Sequence, residues 1–139
     1  MIRNQKGFSL IEIMIVLAII GTIIGMIAQR IFGAREKANY KQVKIVMQQI
    51  MSQLDMYQSE CMTYPSSSQG LEALVKQPTG SPECESWGPT PYLRDVPKDP
   101  WGQPFQYESD GIEYEIISYA GDKRPGGEGA GKDISSKDL

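Results

Sequence analysis

Glu12 stands alone: between Phe8 and Ala28 no other residue carries a charge. An acid inside a membrane-spanning helix costs about 2.5–3.5 kcal/mol on insertion scales, and such residues usually serve a function. The bland alternative is an acid that snorkels to the interface of an ordinary anchor. Few other groups could do chemistry. The chain has no histidine, which removes most nucleophile–base triads and the commonest metal ligand. Its two cysteines, Cys61 and Cys84, lack the Cys-x-x-Cys spacing of a redox site. They are a disulfide if the segment is exported, or two buried thiols if it is not. Glu108, Asp110, Glu113 and Glu115 form an acidic cluster. Strand alternation, however, puts Glu113 and Glu115 on one solvated face opposite Ile112 and Tyr114, which implies no pocket with raised carboxyl pKa values. No glycine loop precedes a Lys-Ser or Lys-Thr pair, so phosphate chemistry is missing as well. The residue types argue against an enzyme.

The elements around Glu12 explain more. A helix rises about 1.5 Å per residue, so the roughly 21 residues from Phe8 to Ala28 reach about 30 Å, the thickness of bilayer hydrocarbon. Ahead of them lies a short polar segment with Arg3, Lys6 and Gly7. An ordinary secretory signal has a shorter apolar core followed by small residues at the cut, and neither is found here. Arg3 and Lys6 favour a cytoplasmic start, while Arg30, Arg35 and Lys37 on the other flank argue the reverse, so charge leaves topology open. Val43, Val46, Met47, Ile50, Met51, Leu54 and Tyr57 continue the helical period, and no proline occurs before Pro65. The pattern predicts one helix of about 50 residues ending near residue 60, apolar all round in its first half and striped in its second.

The remainder reads as a small head. Tyr64-Pro65 and three serines break the helix, and Ser66 or Ser68 is placed to cap a short second one bearing Leu71, Leu74 and Val75. Residues 77–100 are rich in proline and turn formers and read as a long loop. Phe105 and Tyr107, then Asp110-Gly111, then Ile112, Tyr114 and Ile116 alternate as in a β-hairpin. Glycine is frequent from Gly121 to Gly131, which disfavours regular structure. The net charge of −3 offers no basic surface for nucleic acid.

Lys6-Gly7-Phe8-Ser9-Leu10-Ile11-Glu12, opening an apolar run, resembles the type IV pilin-like precursors. That resemblance implies cleavage by prepilin peptidase between Gly7 and Phe8, followed by N-methylation of Phe8. A new α-amino group has a reference pKa near 8 and is mostly cationic at neutral pH. A helix cannot fold its first residue back onto its fifth, so the implied partner of Glu12 is Phe8 of the next subunit, setting the axial register. Gly21-x-x-x-Gly25 either lets helices pack closely or is incidental. Relatives carry a proline near the position of Gln29 and unwind there; its absence here leaves unwinding around Gly21 and Gly25 open.

Three further motifs narrow the family. Tyr64-Pro65-x-x-x-Gln69-Gly70-Leu71-x-Ala73-Leu74, Asp99-Pro100-Trp101-Gly102 with Phe105-x-Tyr107, and the segment Ser118 to Ile134 are similar to signatures of the major pseudopilins of type II secretion systems. The implied fold is α+β and type IV pilin-like: a long N-terminal helix carrying a head with a short helix, an antiparallel sheet and a glycine-rich C-terminal loop. The implied division is a leader over 1–7, a transmembrane and filament-core helix over 8–28, an amphipathic continuation over 29–60 and a periplasmic head over 61–139. The implied function is structural. Such a subunit waits in lipid of the bacterial inner membrane, N-terminus cytoplasmic and head periplasmic. It then joins a homopolymer capped by minor pseudopilins, on an inner-membrane assembly platform, to move folded proteins outward. A type IV pilus subunit would share everything before residue 60, and an N-terminally anchored binding module would share only the span.

The resemblance also implies a calcium ion in the C-terminal loop. Calcium takes six to eight oxygens, which a glycine-rich loop can wrap to supply. Asp122 and Asp133 are the implied carboxylate ligands, with Ser118 and nearby carbonyls, and Glu128 as a further candidate. Lys132 beside Asp133 works against the ion, and a solvated tail is the plain alternative. The two cysteines are not typical of the family. Paired, they would close a loop of about 24 residues, a constraint worth roughly 3 kcal/mol.

Overall fold

A computed structural model describes residues 7–139 of the chain. Residues 1–6, including Arg3, Lys6 and nearly all of the expected leader, lie outside the described residues, as do the side chains of Gln29, Arg30 and Phe32. Helix α1 covers Leu10–Cys61, 52 residues, and continues through Gly21, Gly25 and position 29 without a break. The chain divides into two units, one ending at Lys37 and one running from Ala38 to Leu139.

In the first unit the helix starts on a half-formed capping box. Ser9 and Glu12 have the Ser-x-x-Glu spacing, and the Glu12 carboxylate accepts the Ser9 backbone N–H at 3.4 Å. Every residue from Gly7 to Ile27 is exposed, with Phe8 and Leu10 each at 78%. A helix apolar on all sides and bare on all sides needs a cover that this chain alone does not supply.

The second unit forms around the striped part of α1. Val43, Met47, Ile50, Leu54 and Tyr57 are fully buried, at steps of four and three that keep them on one face. Against them pack Leu71, Ala73, Leu74, Cys84, Phe105, Ile116 and Ile134. The short second helix is a single 3-10 turn, Leu71–Leu74. The expected serine cap is a misreading: Gly70 occupies the cap position at φ +64 and no side chain caps the turn. Ser66 instead closes the preceding turn, its carbonyl accepting from Gln69 and Gly70 at 3.0 Å each. Gln69 Nε2 reaches the Pro82 carbonyl at 2.8 Å, tying the long loop to this turn.

Strands β1 (Gln106–Ser109), β2 (Tyr114–Ser118) and β3 (Ile134–Ser135) form an antiparallel sheet in the order β1-β2-β3. Tyr107 faces Ile116 and Ser109 faces Tyr114, so the hairpin loop is four residues, Asp110 to Glu113. Ile112 therefore does not join the apolar face as expected; it is 81% exposed. The cause is Asp110, whose Oδ1 accepts from the backbone of Ile112 at 2.9 Å and of Glu113 at 2.8 Å and holds the loop open. Those two bonds also lower the Asp110 carboxyl pKa. Glu108 and Glu115 face each other directly across the strands, a repulsive pairing. Ser135 and Lys137 relieve it by bonding Glu115, at 2.6 and 3.0 Å. Glu115 is thus half-buried and bonded rather than part of a wholly solvated face.

Candidate functional site

Three places carry the residues singled out from the sequence. The first is the start of α1, where Phe8 and Glu12 stand exposed within the bare apolar segment. The Ser9 bond holds one oxygen of Glu12 at the helix terminus, where unpaired N–H groups and the helix dipole favour an anion. Gly7 has nothing within 4 Å of where a side chain would begin.

The second is the junction of α1 with the long loop. Cys61, the last residue of α1, is disulfide-bonded to Cys84, with their Cα atoms 5.0 Å apart. The loop is further fixed by Gln77 Nε2 donating to the Cys84 carbonyl at 3.0 Å and Trp87 Nε1 donating to the Ala73 carbonyl at 2.9 Å. Tyr92 donates its hydroxyl to the Glu60 carboxylate. Burial, and after it that hydrogen bond, pushes the Tyr92 phenol up to about 12. The arrangement is a set of ties between the end of α1 and the long loop.

The third is the C-terminal loop and its floor. Asp99 is buried and accepts from the backbone of Trp101 at 3.1 Å and Gln103 at 2.8 Å, making the tight Asp-Pro-Trp-Gly turn. Its other oxygen receives the Ser118 hydroxyl at 2.7 Å. Ser118 is fully buried and its oxygen also accepts from the Ala120 N–H at 3.3 Å. Above this floor the two acids converge on neighbouring glycines. Asp133 Oδ2 accepts from the Gly126 N–H at 2.8 Å. Asp122 Oδ2 lies so close to Gly127 and Gly131 that an added Cβ would stand 2.8 and 2.7 Å from it. Those glycines are required by the close approach of a carboxylate. Ser118 has no bond to either acid, and Glu128 is exposed without a bonded side chain among the described residues.

Among the described residues no three potential metal-binding side chains cluster. The oxygens that are present still suit a hard cation. Asp133 Oδ1 is buried and accepts no hydrogen bond, a state that buried carboxylate oxygens seldom occupy. A second carboxylate, Asp122, sits in the same loop, and its Oδ2 and the Gly131 carbonyl both crowd against Gly127. Such a donor set fits calcium in kind and is short of it in carboxylate number.

Sequence reading missed one support of this loop, Tyr40, and named the other, Trp101, only as part of its turn. Tyr40, on α1, contacts the carbonyls of Gly129 at 3.0 Å and Lys132 at 3.2 Å through its hydroxyl. Trp101 meets Tyr40 edge-on, with ring centres 6.0 Å apart. A tyrosine at position 40 carries no motif that would have drawn attention to it.

Comparison with known proteins accounts for both ends of the chain. Residues 2–28 match the prokaryotic N-terminal methylation motif, and residues 30–137 match the family described as type II secretion system (T2SS), protein G. A type II secretion system core protein G from Pseudomonas aeruginosa is 38% identical over 138 residues, covering 98% of this chain and 97% of that protein. The core protein G of Vibrio cholerae is 36% identical, covering 99% and 94%. The crystal structure of the major pseudopilin from the type 2 secretion system of enterohaemorrhagic Escherichia coli is similar at a TM-score of 0.68. It is 34% identical and covers 78% of this chain and 94% of its own. With the methylation motif, the bare helix, the Gln-Gly turn and the Asp-Pro-Trp-Gly turn all in place, this chain belongs to the type II secretion system protein G family, whose fold is type IV pilin-like.

Proposed function

We propose that the chain is the major structural subunit of a type II secretion pseudopilus and has no catalytic role. One observation carries this reading: an apolar helix segment exposed on every side, with Glu12 as its only ionisable group. Lipid covers that segment before assembly, with the N-terminus cytoplasmic and the head in the periplasm. Other copies of the same segment cover it afterwards. Apolar burial supplies the driving force, at about 25 cal/mol per Å².

Glu12 selects among the ways identical greasy helices could slide past one another. Prepilin peptidase would cut between Gly7 and Phe8 and methylate the new Phe8 amine. In the dry filament core an unpaired carboxylate is strongly unfavourable. A register that brings the Phe8 amine of one copy to Glu12 of the next removes that penalty, and other registers do not. The pairing serves specificity more than stability, which suits a filament built stepwise on a membrane platform. Minor pseudopilins at the tip and an assembly machinery at the base supply what this chain lacks.

The Asp122 and Asp133 loop is assigned to calcium, with backbone carbonyls completing the shell. Bound there, the ion would neutralise the buried, unbonded oxygen of Asp133 and hold the loop against the head.

The reading is tested by producing the chain with and without an active prepilin peptidase. Expected is a mature protein beginning at a methylated Phe8 that assembles with its platform into filaments. A product still carrying residues 1–7 beside active peptidase would leave only an anchored head.

A further inference from the structure

The loop that carries Asp122 and Asp133 is held from outside by two aromatic residues. Tyr40 leaves α1 from the turn before the first fully buried core residue, Val43. Its hydroxyl gathers the carbonyls of Gly129 and Lys132, which flank the stretch leading into Asp133. A phenol has one proton, so it donates fully to one of these carbonyls at a time. The Gly129 carbonyl also accepts the Lys132 N–H at 3.3 Å, so Tyr40 ties together both ends of that short turn.

Trp101 is the second support. Its indole N–H is buried and has no acceptor, a state that destabilises a folded chain. The ring nitrogen lies 3.2 Å from where a Gly121 side chain would begin, and the Ala130 carbonyl lies 3.8 Å from the same point. An unused donor therefore faces the loop on one side, and within the loop Asp133 Oδ1 is an unused buried acceptor. Both groups are left over, and neither satisfies the other. A loop with one orphan facing it and another inside it is poised for a small rearrangement.

We propose that Tyr40 and Trp101 are positioning residues that clamp the Gly121–Asp133 loop and couple its occupancy by a divalent cation to α1. The proposal rests on the calcium reading of that loop. A cation drawing Asp122 and Asp133 together takes up the free Asp133 oxygen and shifts the backbone between them. That shift brings a loop carbonyl to the Trp101 N–H and tightens the bonds that the Gly129 and Lys132 carbonyls already make with Tyr40. Tyr40 belongs to the helix that makes the filament, so the ion stiffens the part of α1 entering the head.

The test uses the mature full chain in detergent, titrated with calcium chloride while tryptophan emission, calorimetric heat and amide exchange are followed. The parent is expected to bind, to change its emission and to gain protection on α1 around Tyr40. Tyr40→Phe keeps the ring against Trp101 and removes only the oxygen. It should bind calcium about three- to ten-fold more weakly and lose the added protection on α1, beyond any lowering of its calcium-free melting temperature from the lost hydroxyl bonds. Trp101→Phe should bind with heat but without the emission change, although Trp87 still emits. Parent-like affinity and protection in Tyr40→Phe would remove the clamp and leave the calcium assignment standing, as would an emission change that survives in Trp101→Phe. A parent that neither warms, brightens nor dims with calcium removes the metal reading and the clamp together.

Discussion

Ser118 and Asp99 lock the floor of the head: the Ser118 hydroxyl donates to Asp99 Oδ2 at 2.7 Å, with both side chains buried. The bond joins the end of β2 to the Asp-Pro-Trp-Gly turn, so the strand that leads into the glycine-rich loop is fastened before the loop begins. Asp99 has three donors in all, the others being the Trp101 and Gln103 amides. Asp99→Ala leaves those three without an acceptor and should destabilise the head by about 2–4 kcal/mol, against about 1 kcal/mol for Ser118→Ala. Denaturant midpoints of the two variants check the ratio. Equal, small losses would show that the floor is not where stability resides.

The parts legible from sequence are those that depend on near neighbours. The length of α1 followed from an uninterrupted helical period and the lack of proline before Pro65, and the core positions Val43, Met47, Ile50, Leu54 and Tyr57 followed from the same period. The hairpin followed from alternation, but its loop did not. Asp110-Gly111 resembles a two-residue turn, and only the Asp110 side chain, bonding two amides beyond it, makes the loop four residues. Strand β3 is two residues long and exists through pairing with β2, so no local pattern announces it. The site shows the same limit. Asp122 and Asp133 stand out as acids among glycines, whereas Tyr40 reaches the loop across 89 residues of sequence. Ser118 has the right chemistry for a ligand, and only the buried Asp99 beside it reveals the other use of its hydroxyl.

The disulfide should matter to the end of α1. Cys61 and Cys84 are 23 residues apart, and opening a loop of that size releases chain entropy worth about 3 kcal/mol. Cys61→Ser with Cys84→Ser should lower stability by about that amount, and reductant should do the same to the parent and nothing to the double variant. Amide exchange should rise first in residues 57–61 and in the loop around Trp87. Unchanged stability in reductant would mean that the Gln77, Trp87 and Tyr92 ties suffice.

Three phenols set an alkaline limit. Burial pushes Tyr92, Tyr107 and Tyr114 up to about 12 from an ordinary 10.0. A group whose folded pKa lies above its unfolded value holds the proton better when folded. Its contribution is complete below about pH 10 and is lost as pH climbs through about 12. Tyrosinate absorbance should therefore rise cooperatively with unfolding inside that window. Tyr107→Phe and Tyr114→Phe should each weaken the pH dependence. Titration of all tyrosines near pH 10 in a folded head would contradict the burial of these rings.

The loop carboxylates should respond to calcium as a pair. Asp122→Asn with Asp133→Asn keeps the shape and removes two charges that a cation needs. Added calcium should raise the melting temperature of the parent and leave the double variant unmoved. Chelator should lower the parent to the level of the variant. A calcium-dependent rise of the same size in both would move the ion to other oxygens.

Glu12 has an observed local role and a proposed one between copies, and the two can be separated. Its carboxylate accepts the Ser9 N–H and so helps begin α1, a contribution of about 0.5–2 kcal/mol at most for an N-terminal cap. Glu12→Gln retains an acceptor oxygen for that bond and carries no charge; Glu12→Ala removes both. If the cap is what filaments require, the glutamine variant should assemble and the alanine variant should fail. If the charge selects register against the Phe8 amine of the next copy, both variants should insert, mature and fold their heads normally, and both should fail to assemble. The second pattern is expected, because nothing else between Phe8 and Ala28 can distinguish one axial position from another by charge. Filament yield at equal subunit abundance is the measurement, and parent-like yield from Glu12→Gln would sink the register mechanism while sparing the cap.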